Sequence, residues 1–408
     1  MAYLLLGTTL LALLVWMSRH LQIGRVGRAM PPIHSGMYQD SGVALPSVSL
    51  LVAAKDEESN IEACLRSLLA QDYPDLEVLA INDRSTDRTH EIIDEMAADA
   101  DRLNVLHIRA LRPGWFGKSN AMRAGMEQAK GEWLCFTDAD CVFVSQRALA
   151  VAVRFAMEKG ADFLSVLPVH ETNSFFERVI QPACSGIMMI WFSPTKVNDP
   201  RTRTAYANGA FMLMRRSCYE ALGGHEAVKT DLNEDMHMAR LAKEAGQRLI
   251  VVSNEDLYTV RMYETFSQIW SGWSRIFYGC FGTLRRLTLS ILVVTVFSLL
   301  PWAALLAAIM TMFFRPDVGF LWQMLAWMAG MTCATQISVM FRFYALNHVH
   351  PLYGMTYPLG VAVGFGALVN ALRGVWGRRS VTWRGTAYHH KRADSPAKAV
   401  SGKTTHSV

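Results

Sequence analysis

Charge is scarce in this chain of 408 residues. Asp, Glu, Lys and Arg make up 18% of it, against about 25% in an ordinary soluble domain. Hydrophobic residues reach 51%, more than surface-to-volume scaling lets a chain of this size bury, so part of it is expected to face lipid. Paired cysteines are missing as well. The seven present (Cys64, Cys135, Cys141, Cys184, Cys218, Cys280 and Cys333) are odd in number and scattered, which argues against a disulfide framework or a structural zinc site. They fit buried thiols in a reducing compartment. Nor is there a long basic stripe interleaved with aromatics, and the net charge is only +5, so no nucleic-acid partner is expected. The basic residues sit beside apolar runs instead, at Arg19, Arg25 and Arg28, at Arg285 and Arg286, and at Arg373, Arg378 and Arg379. That is where residues flanking membrane spans are found.

The apolar runs are 3–17, 287–314, 320–340 and 352–372. A cleaved signal peptide carries its positive charges ahead of the apolar core. Here they follow it, so an uncleaved anchor with its amino terminus outside is expected over residues 1–20. The second and third runs reach the roughly 20 residues that a span needs. The fourth is rich in glycine and proline (Gly354, Pro358, Gly360, Gly364, Gly366) and could cross, kink or re-enter. Three crossings after a cytoplasmic middle region would leave the carboxyl terminus outside. Yet Arg373, Arg378, Arg379, Arg384, Lys391 and Arg392 belong inside, so two to three carboxyl-terminal spans are expected.

Between 46 and 263 the pattern changes. Short β-prone runs at 48–54, 76–81, 105–108 and 133–137 alternate with helix-like stretches at 60–70, 89–98 and 119–128. This predicts βαβ units and an α/β, mostly parallel, Rossmann-like sheet. Ligands of such sheets lie beyond the carboxyl ends of the strands. Acidic segments stand there: Lys55-Asp56-Glu57-Glu58, then Asn82-Asp83-Arg84-Ser85-Thr86-Asp87-Arg88-Thr89, then Asp138-Ala139-Asp140. Carboxylates gathered on one rim repel one another unless cations or donor groups sit among them.

Asp138 and Asp140, flanking one small residue in a strand-ending turn, can reach a single hard cation directly or through water. Such oxygen ligands suit Mg2+ or Mn2+, and magnesium tends to share its coordination with substrate phosphates. The same pair could simply end a strand and cap a helix. Asp83 likewise has two readings, a turn residue or the acceptor of a hydrogen bond from a nucleobase. Far along the chain, Glu234-Asp235 precedes an amphipathic stretch at 238–245. Negative charge suits a helix start, and Asp235 there could also be a general base toward an acceptor hydroxyl. Lys118, in Gly117-Lys118-Ser119-Asn120-Ala121, opens a helix-like segment and offers an anion site, although the upstream glycine of a Walker loop is absent. The aromatic stretch 175–192 is either a core helix or a surface helix that admits a lipid.

In order and spacing these segments resemble the inverting family 2 glycosyltransferases with the GT-A fold, in particular their membrane-bound lipid- and carotenoid-glycosylating branch. Residues 53–60 resemble the family's opening strand and acidic turn, and 80–89 its nucleotide-binding aspartate loop. Residues 117–140 resemble the lysine helix followed by the metal-binding Asp-x-Asp, and Glu234-Asp235 the catalytic acidic pair. The resemblance implies that Ala54, Glu57 and Asp83 hold the base and ribose of a nucleotide-sugar donor, with Lys118 and Asp138 near the nucleotide. It implies that Asp140, with Asp138, ligates Mg2+ or Mn2+, and that Asp235 and Glu234 are catalytic. Asn208, Gly209, Ala210, Trp273 and Arg275 would line the side of a lipid or isoprenoid acceptor.

One departure is informative. Processive polysaccharide synthases carry Gln-x-x-Arg-Trp, whereas this chain reads Gln268-Ile269-Trp270-Ser271-Gly272-Trp273-Ser274-Arg275. The arginine is missing from its place and the tryptophan is displaced, which favours transfer of one sugar. Trp270 and Trp273 could serve as an interfacial aromatic anchor. Val381-Thr382-Trp383-Arg384-Gly385 resembles the tail signature of the carotenoid-type branch. The expected organisation is an anchor at 1–20, a GT-A domain at 46–265, an interfacial segment at 266–286, a membrane region at 287–372 and a basic, partly disordered tail at 373–408. The whole would be a multi-pass protein of a bacterial inner membrane with its catalytic domain cytoplasmic. A processive synthase and a non-catalytic membrane scaffold are the competing readings.

Overall fold

In the computed structural model, the chain opens with α1 (Ala2–Ala29) and a two-residue strand, β1 (Pro32–Ile33). A βα succession follows: β2 (Val48–Ala54), α2 (Ile61–Leu69), β3 (Leu76–Asp83), α3 (Thr89–Ala98), β4 (Leu103–Ile108), α4 (Gly117–Met126) and β5 (Trp133–Asp138). Next come β6 (Cys141–Val142), α5 (Ala148–Lys159), β7 (Phe163–Leu167), β8 (Val169–His170), α6 (Phe175–Met188) and α7 (Pro194–Val197). The domain continues through β9 (Phe211–Arg215), α8 (Arg216–Ala221), α9 (Gly224–Ala227), α10 (Glu234–Glu244), β10 (Leu249–Asn254) and β11 (Thr259–Val260). Then the chain turns helical: α11 (Phe266–Phe281), α12 (Leu284–Val293), a π-helical turn Val294–Leu299, α13 (Leu300–Phe314), α14 (Phe320–Leu346), a 3-10 turn Pro351–Thr356 and α15 (Tyr357–Trp376). The structure describes residues 2–377 other than 31, 40, 41, 43, 316 and 318, and the backbone of two paired strands, Val381–Trp383 and Thr386–Tyr388. The expectations for Arg378, Arg379, Arg384, Lys391, Arg392 and the rest of the tail lie outside the described residues.

Eight strands form the main sheet in the order β1-β10-β7-β9-β5-β2-β3-β4. All neighbours pair in parallel except β9, which runs antiparallel to both β5 and β7. The mostly parallel α/β sheet is therefore present, with one reversed strand inserted. The central β2 is buried on both faces, as a strand covered by helices must be. Leu50 and Val52 join α2 and α5 in one core, while Leu51 joins Ala121 and Met122 of α4 and Met238 of α10 in the other.

A third core is built by α6, α11, α14 and α15, around Val179, Ile187, Phe277, Tyr344 and Leu368. So α6 is a core helix, started by a capping box between Ser174 and Glu177. Only its tip, Phe175 and Phe176, is exposed. The alternative of a surface helix admitting lipid along its length does not hold.

Four helices are long and apolar enough to cross a membrane: Ala2–Arg25, Leu284–Phe314, Phe320–Leu346 and Pro351–Trp376. At the π-helical turn, the Phe297 carbonyl accepts from Trp16 Nε1 at 2.7 Å and from Gln336 Nε2 at 2.8 Å. Hydrogen bonds of this kind tie helices together where no water competes.

Candidate active site

Strand β2 lies between β3 and β5, pairing Ala54 with Asn82 and Ala53 with Asp138. This register sets Ala54, Asp83 and Asp138 on one rim of the sheet. Strand β3 runs on through Asp83, whose carboxylate is buried. Arg84 follows in the left-handed region (φ 57°) and grips Asp83 with both ends of its guanidinium, Nε to Oδ1 at 2.8 Å and Nη2 to Oδ2 at 2.9 Å. Across the gap lies the start of α4. A Cβ at Gly117 would stand 2.5 Å from Asp83 Oδ2, so only glycine lets the carboxylate approach the helix so closely. The anion at this helix start is thus supplied by the chain itself.

Lys118 reaches past that position. Its Nζ lies 2.6 Å from Asp138 Oδ1 and 2.7 Å from Glu234 Oε1. Burial disfavours its charge, but Asp138 and Glu234 outweigh this and hold the ammonium well above its usual range. Gly209 sits in the middle of the cluster. A Cβ there would come within 3.0 Å of Lys118 Nζ and 3.5 Å of Asp235 Oδ2.

Asp235, in the first turn of α10, accepts from the backbone N–H of Gly209 at 3.0 Å and of Met236 at 2.7 Å. Burial, and then the charge of Glu234, push its carboxyl up to about 7, although Lys118 draws it back. Asp140 is raised to about 7 too, first by burial and then by the carboxylates of Asp138 and Glu57.

The remaining acidic residues of the rim do structural work. Asp56 accepts from the Thr86 N–H at 2.7 Å, and Asp87 from the Glu58 N–H at 3.0 Å, lacing the first two loops together. Glu57 accepts from Asn60 Nδ2 at 2.8 Å and still lines the cleft.

One cleft of about 890 Å³ joins Ala54, Glu57, Asp83, Lys118, Asp138, Asp140, Asn208, Gly209, Glu234, Asp235 and Arg275. Two expected residues are not among its walls. Ala210 is in the core, its carbonyl accepting from Thr137 Oγ1 at 2.7 Å. Trp273 is 6% exposed and packs on Phe277, so it is a core residue and not an interfacial anchor. Trp270, one turn earlier, lines the cleft instead. The sequence reading missed Arg84, Tyr206, Tyr263, Asn370 and Arg373, which also face it. The last two carried a signal, being polar residues at the end of an apolar helix.

Two carboxylates alone do not make a metal cage. Among the described residues no group of three or more His, Cys, Asp or Glu could hold an ion unaided. The donor set still fits a divalent cation that shares its coordination with phosphate oxygens. Asp138 is already paired with Lys118, whereas Asp140 is raised by like charges that a cation would offset.

A mostly parallel sheet with acidic residues converging beyond β2, β3 and β5 matches the GT-A glycosyltransferase architecture that the sequence resembles. Sequence comparison is specific: the model for "Glycosyltransferase like family 2" matches residues 46–274, and the chain belongs to that family. The 4,4'-diaponeurosporenoate glycosyltransferase of Staphylococcus aureus is 27% identical over 251 residues, covering 60% of this chain and 64% of that protein. The beta-monoglucosyldiacylglycerol synthase of Nostoc is 33% identical over 195 residues, covering 47% of this chain and 40% of that protein. This chain therefore spans less than two thirds of the length of either relative. A mannosyltransferase from Pyrobaculum calidifontis, solved with GDP-Man and Mn2+, superposes with a TM-score of 0.52 at 17% identity, covering 92% of this chain and 100% of that one. That likeness establishes the fold.

Proposed function

We propose that this chain transfers a single sugar from a nucleotide-diphospho-sugar to a lipid or isoprenoid acceptor, with inversion, at the cytoplasmic face of a bacterial inner membrane that it crosses several times. One observation carries the reading: a single cleft runs from Ala54 and Asp83, past Lys118, Asp140 and Asp235, to Asn370 and Arg373 of an apolar helix long enough to span a bilayer. Two relatives named for a diaponeurosporenoate and a glucosylated diacylglycerol support a lipid acceptor.

In this reading Ala54, Glu57 and Asp83 bind the base and ribose, with Arg84 fixing the Asp83 carboxylate. Asp140, with Asp138 beside it, would hold Mg2+ or Mn2+. Such an ion, when bound, neutralises the charge that grows on a departing nucleoside diphosphate. Asp235 takes the proton of the acceptor hydroxyl while that oxygen attacks the anomeric carbon opposite the leaving group, which inverts the centre. Glu234 is a positioning residue that anchors Lys118. Asn208, Gly209 and Arg275 stand on the acceptor side.

Transfer of one sugar has its own support. A Cβ at Gly272 would lie 2.2 Å from Tyr263 Oη, so this chain has no room for a side chain at the sequence position where Gln-x-x-Arg-Trp has its tryptophan.

The test is mass spectrometry of lipid extracts after feeding labelled nucleotide-sugars to membranes holding the intact chain. One hexose-sized increment on one lipid class is expected, lost on chelation of divalent cations. A ladder of increments would make the protein a polymerase. Neither transfer nor donor hydrolysis across a donor panel would leave a scaffold.

A further inference from the structure

Helix α15 has 20 residues and so a length of about 30 Å, close to the thickness of a hydrocarbon core. Its start meets two spans, where Tyr357 packs edge-on against Trp16 of α1 and donates to Ser298 Oγ at 2.8 Å. Its glycines lie directly on helices of the catalytic domain: a Cβ at Gly360 would stand 2.3 Å from the Val179 carbonyl oxygen, and one at Gly364 2.8 Å from Ile187 Cδ1, both in α6. Farther along, Gly366 meets Trp270 at 2.7 Å and Gly374 meets Tyr278 at 3.3 Å, both in α11. The constant offset of these last two pairs means that α11 and α15 run side by side in the same direction.

Both ends of α15 touch the catalytic domain. Just before it, Tyr353 packs on Phe175 and under the Arg178 guanidinium, which also donates to the Tyr353 hydroxyl at 3.1 Å. At the far end Arg373 and Gly374 line the active cleft. Glu264 and Arg261, paired at 3.0 Å, stand immediately ahead of α11. Continuing the offset brings Glu264 level with Gly360, about one turn into α15, so α11 runs beside α15 from near its start to the cleft-lining Arg373 and Gly374. A perpendicular crossing would draw α11, with the cleft residues Gln268 and Arg275 that it carries, through hydrocarbon, where ionised side chains are expelled or paired away from lipid. Meanwhile Leu352, Met355, Leu359 and Trp376 project outward, each at least 50% exposed.

Resting on the membrane-bound reading above, we propose that α15 lies along the membrane surface, glycine face on the enzyme and apolar face on lipid. The chain then crosses three times, through α1, through α12 and α13, and through α14. This settles the conflict of charges. Arg19 and Arg25, Arg285 and Arg286, Arg342 and Arg373 all fall on the catalytic side, while the described residues of the α13–α14 loop add only Arg315 and Asp317 to the other. The acceptor cleft opens at the level of lipid headgroups, since α15 is one of its walls.

Cysteine labelling in spheroplasts tests this on the full chain, with a membrane-impermeant maleimide. The parent chain sets the baseline, since its own cysteines are buried apart from the half-buried Cys280. Asp317→Cys is expected to label in intact spheroplasts, and Ser401→Cys to stay at the parent level until the membrane is permeabilised. Label on Ser401→Cys in intact spheroplasts would overturn the proposal, because α15 would then cross. So would protection of Asp317→Cys. Sugar transfer is measured on the same membranes. The expected labelling without transfer supports this placement while sinking the enzymatic reading, and recovery of the chain in the soluble fraction sinks both.

Discussion

Replacing Asp235 by asparagine isolates a proton acceptor while leaving its shape in place. The carboxylate is held by two backbone donors, Gly209 N–H at 3.0 Å and Met236 N–H at 2.7 Å. An asparagine oxygen can keep one of these, so the fold loses about one hydrogen bond, worth ~1 kcal/mol. It also loses the repulsion from Glu234 that helps raise Asp235 from 3.8 to about 7. That rise corresponds to roughly 4 kcal/mol against the ionised form. The sign follows. Between about pH 4 and pH 7 the folded protein binds more protons here than the unfolded chain, so this group's contribution to stability falls as pH climbs through that window. Turnover moves the other way, because only the ionised carboxylate accepts a proton. In the parent enzyme kcat should rise with pH through about 7 and level off above it. In Asp235→Asn, kcat should drop by about 10²- to 10⁴-fold, or ~3–5 kcal/mol of barrier, and the limb near neutrality should disappear. Donor affinity, measured by calorimetry on purified protein in lipid nanodiscs, should stay within about threefold, since one backbone contact still holds residue 235 and Ala54, Glu57 and Asp83 are unchanged. Turnover within tenfold of the parent, with the same pH profile, would refute the assignment of the base.

Two further perturbations probe the rest of the cleft. Asp140→Asn should weaken cation-dependent donor binding by at least about tenfold in titration calorimetry while barely changing binding without added cation; equal affinity with cation would remove this residue from the metal site. Gly272→Ala should cost ~1–3 kcal/mol in chemical denaturation, because its Cβ would strike the Tyr263 ring, and most of that cost should vanish in a Tyr263→Ala background. Additive losses would mean the two residues do not share that space.

Much of this was legible in local pattern. The run 48–54 is β2 and the stretch 89–98 is α3, because a short unbroken apolar run marks a strand buried on both faces and apolar residues at helical spacing mark a helix with one buried face. The segments after β2, β3 and β5 reached one cleft because parallel strands deliver their carboxyl ends to one rim, while Glu234 and Asp235 come to it at the start of α10, against Gly209 just ahead of the antiparallel β9. What pattern could not supply was pairing. Strand β9 reads Phe-Met-Leu-Met-Arg, a buried run that carries no mark of direction, and only its partners β5 and β7 make it antiparallel. Lys118 looked like an anion site for a nucleotide because its two counter-ions, Asp138 and Glu234, lie elsewhere in the chain. Trp270 and Trp273 are one helical turn apart, and what each packs on decides which meets the cleft: Gly366 for the first, Phe277 for the second.

The glycines of the fourth apolar run illustrate the same limit and lead to a coupling. Read alone, they allowed a crossing, a kink or a re-entrant turn; in the fold α15 is unbroken, and they are where α6 and α11 press against it. Helix α11, gripped in this way, presses in turn on the loop that leads to Glu234 and Asp235. A Cβ at Gly279 would stand 2.4 Å from Asn233 Oδ1, and Asn233 Nδ2 donates to Cys280 Sγ at 2.9 Å. Asp235 is two residues beyond that clamp. Its position is therefore fixed from two directions, by the Gly209 N–H on the sheet side and by α11 on the lipid side. A disturbance of α15 by detergent or by a change of lipid is accordingly expected to reach residue 235 through α11 and to lower sugar turnover.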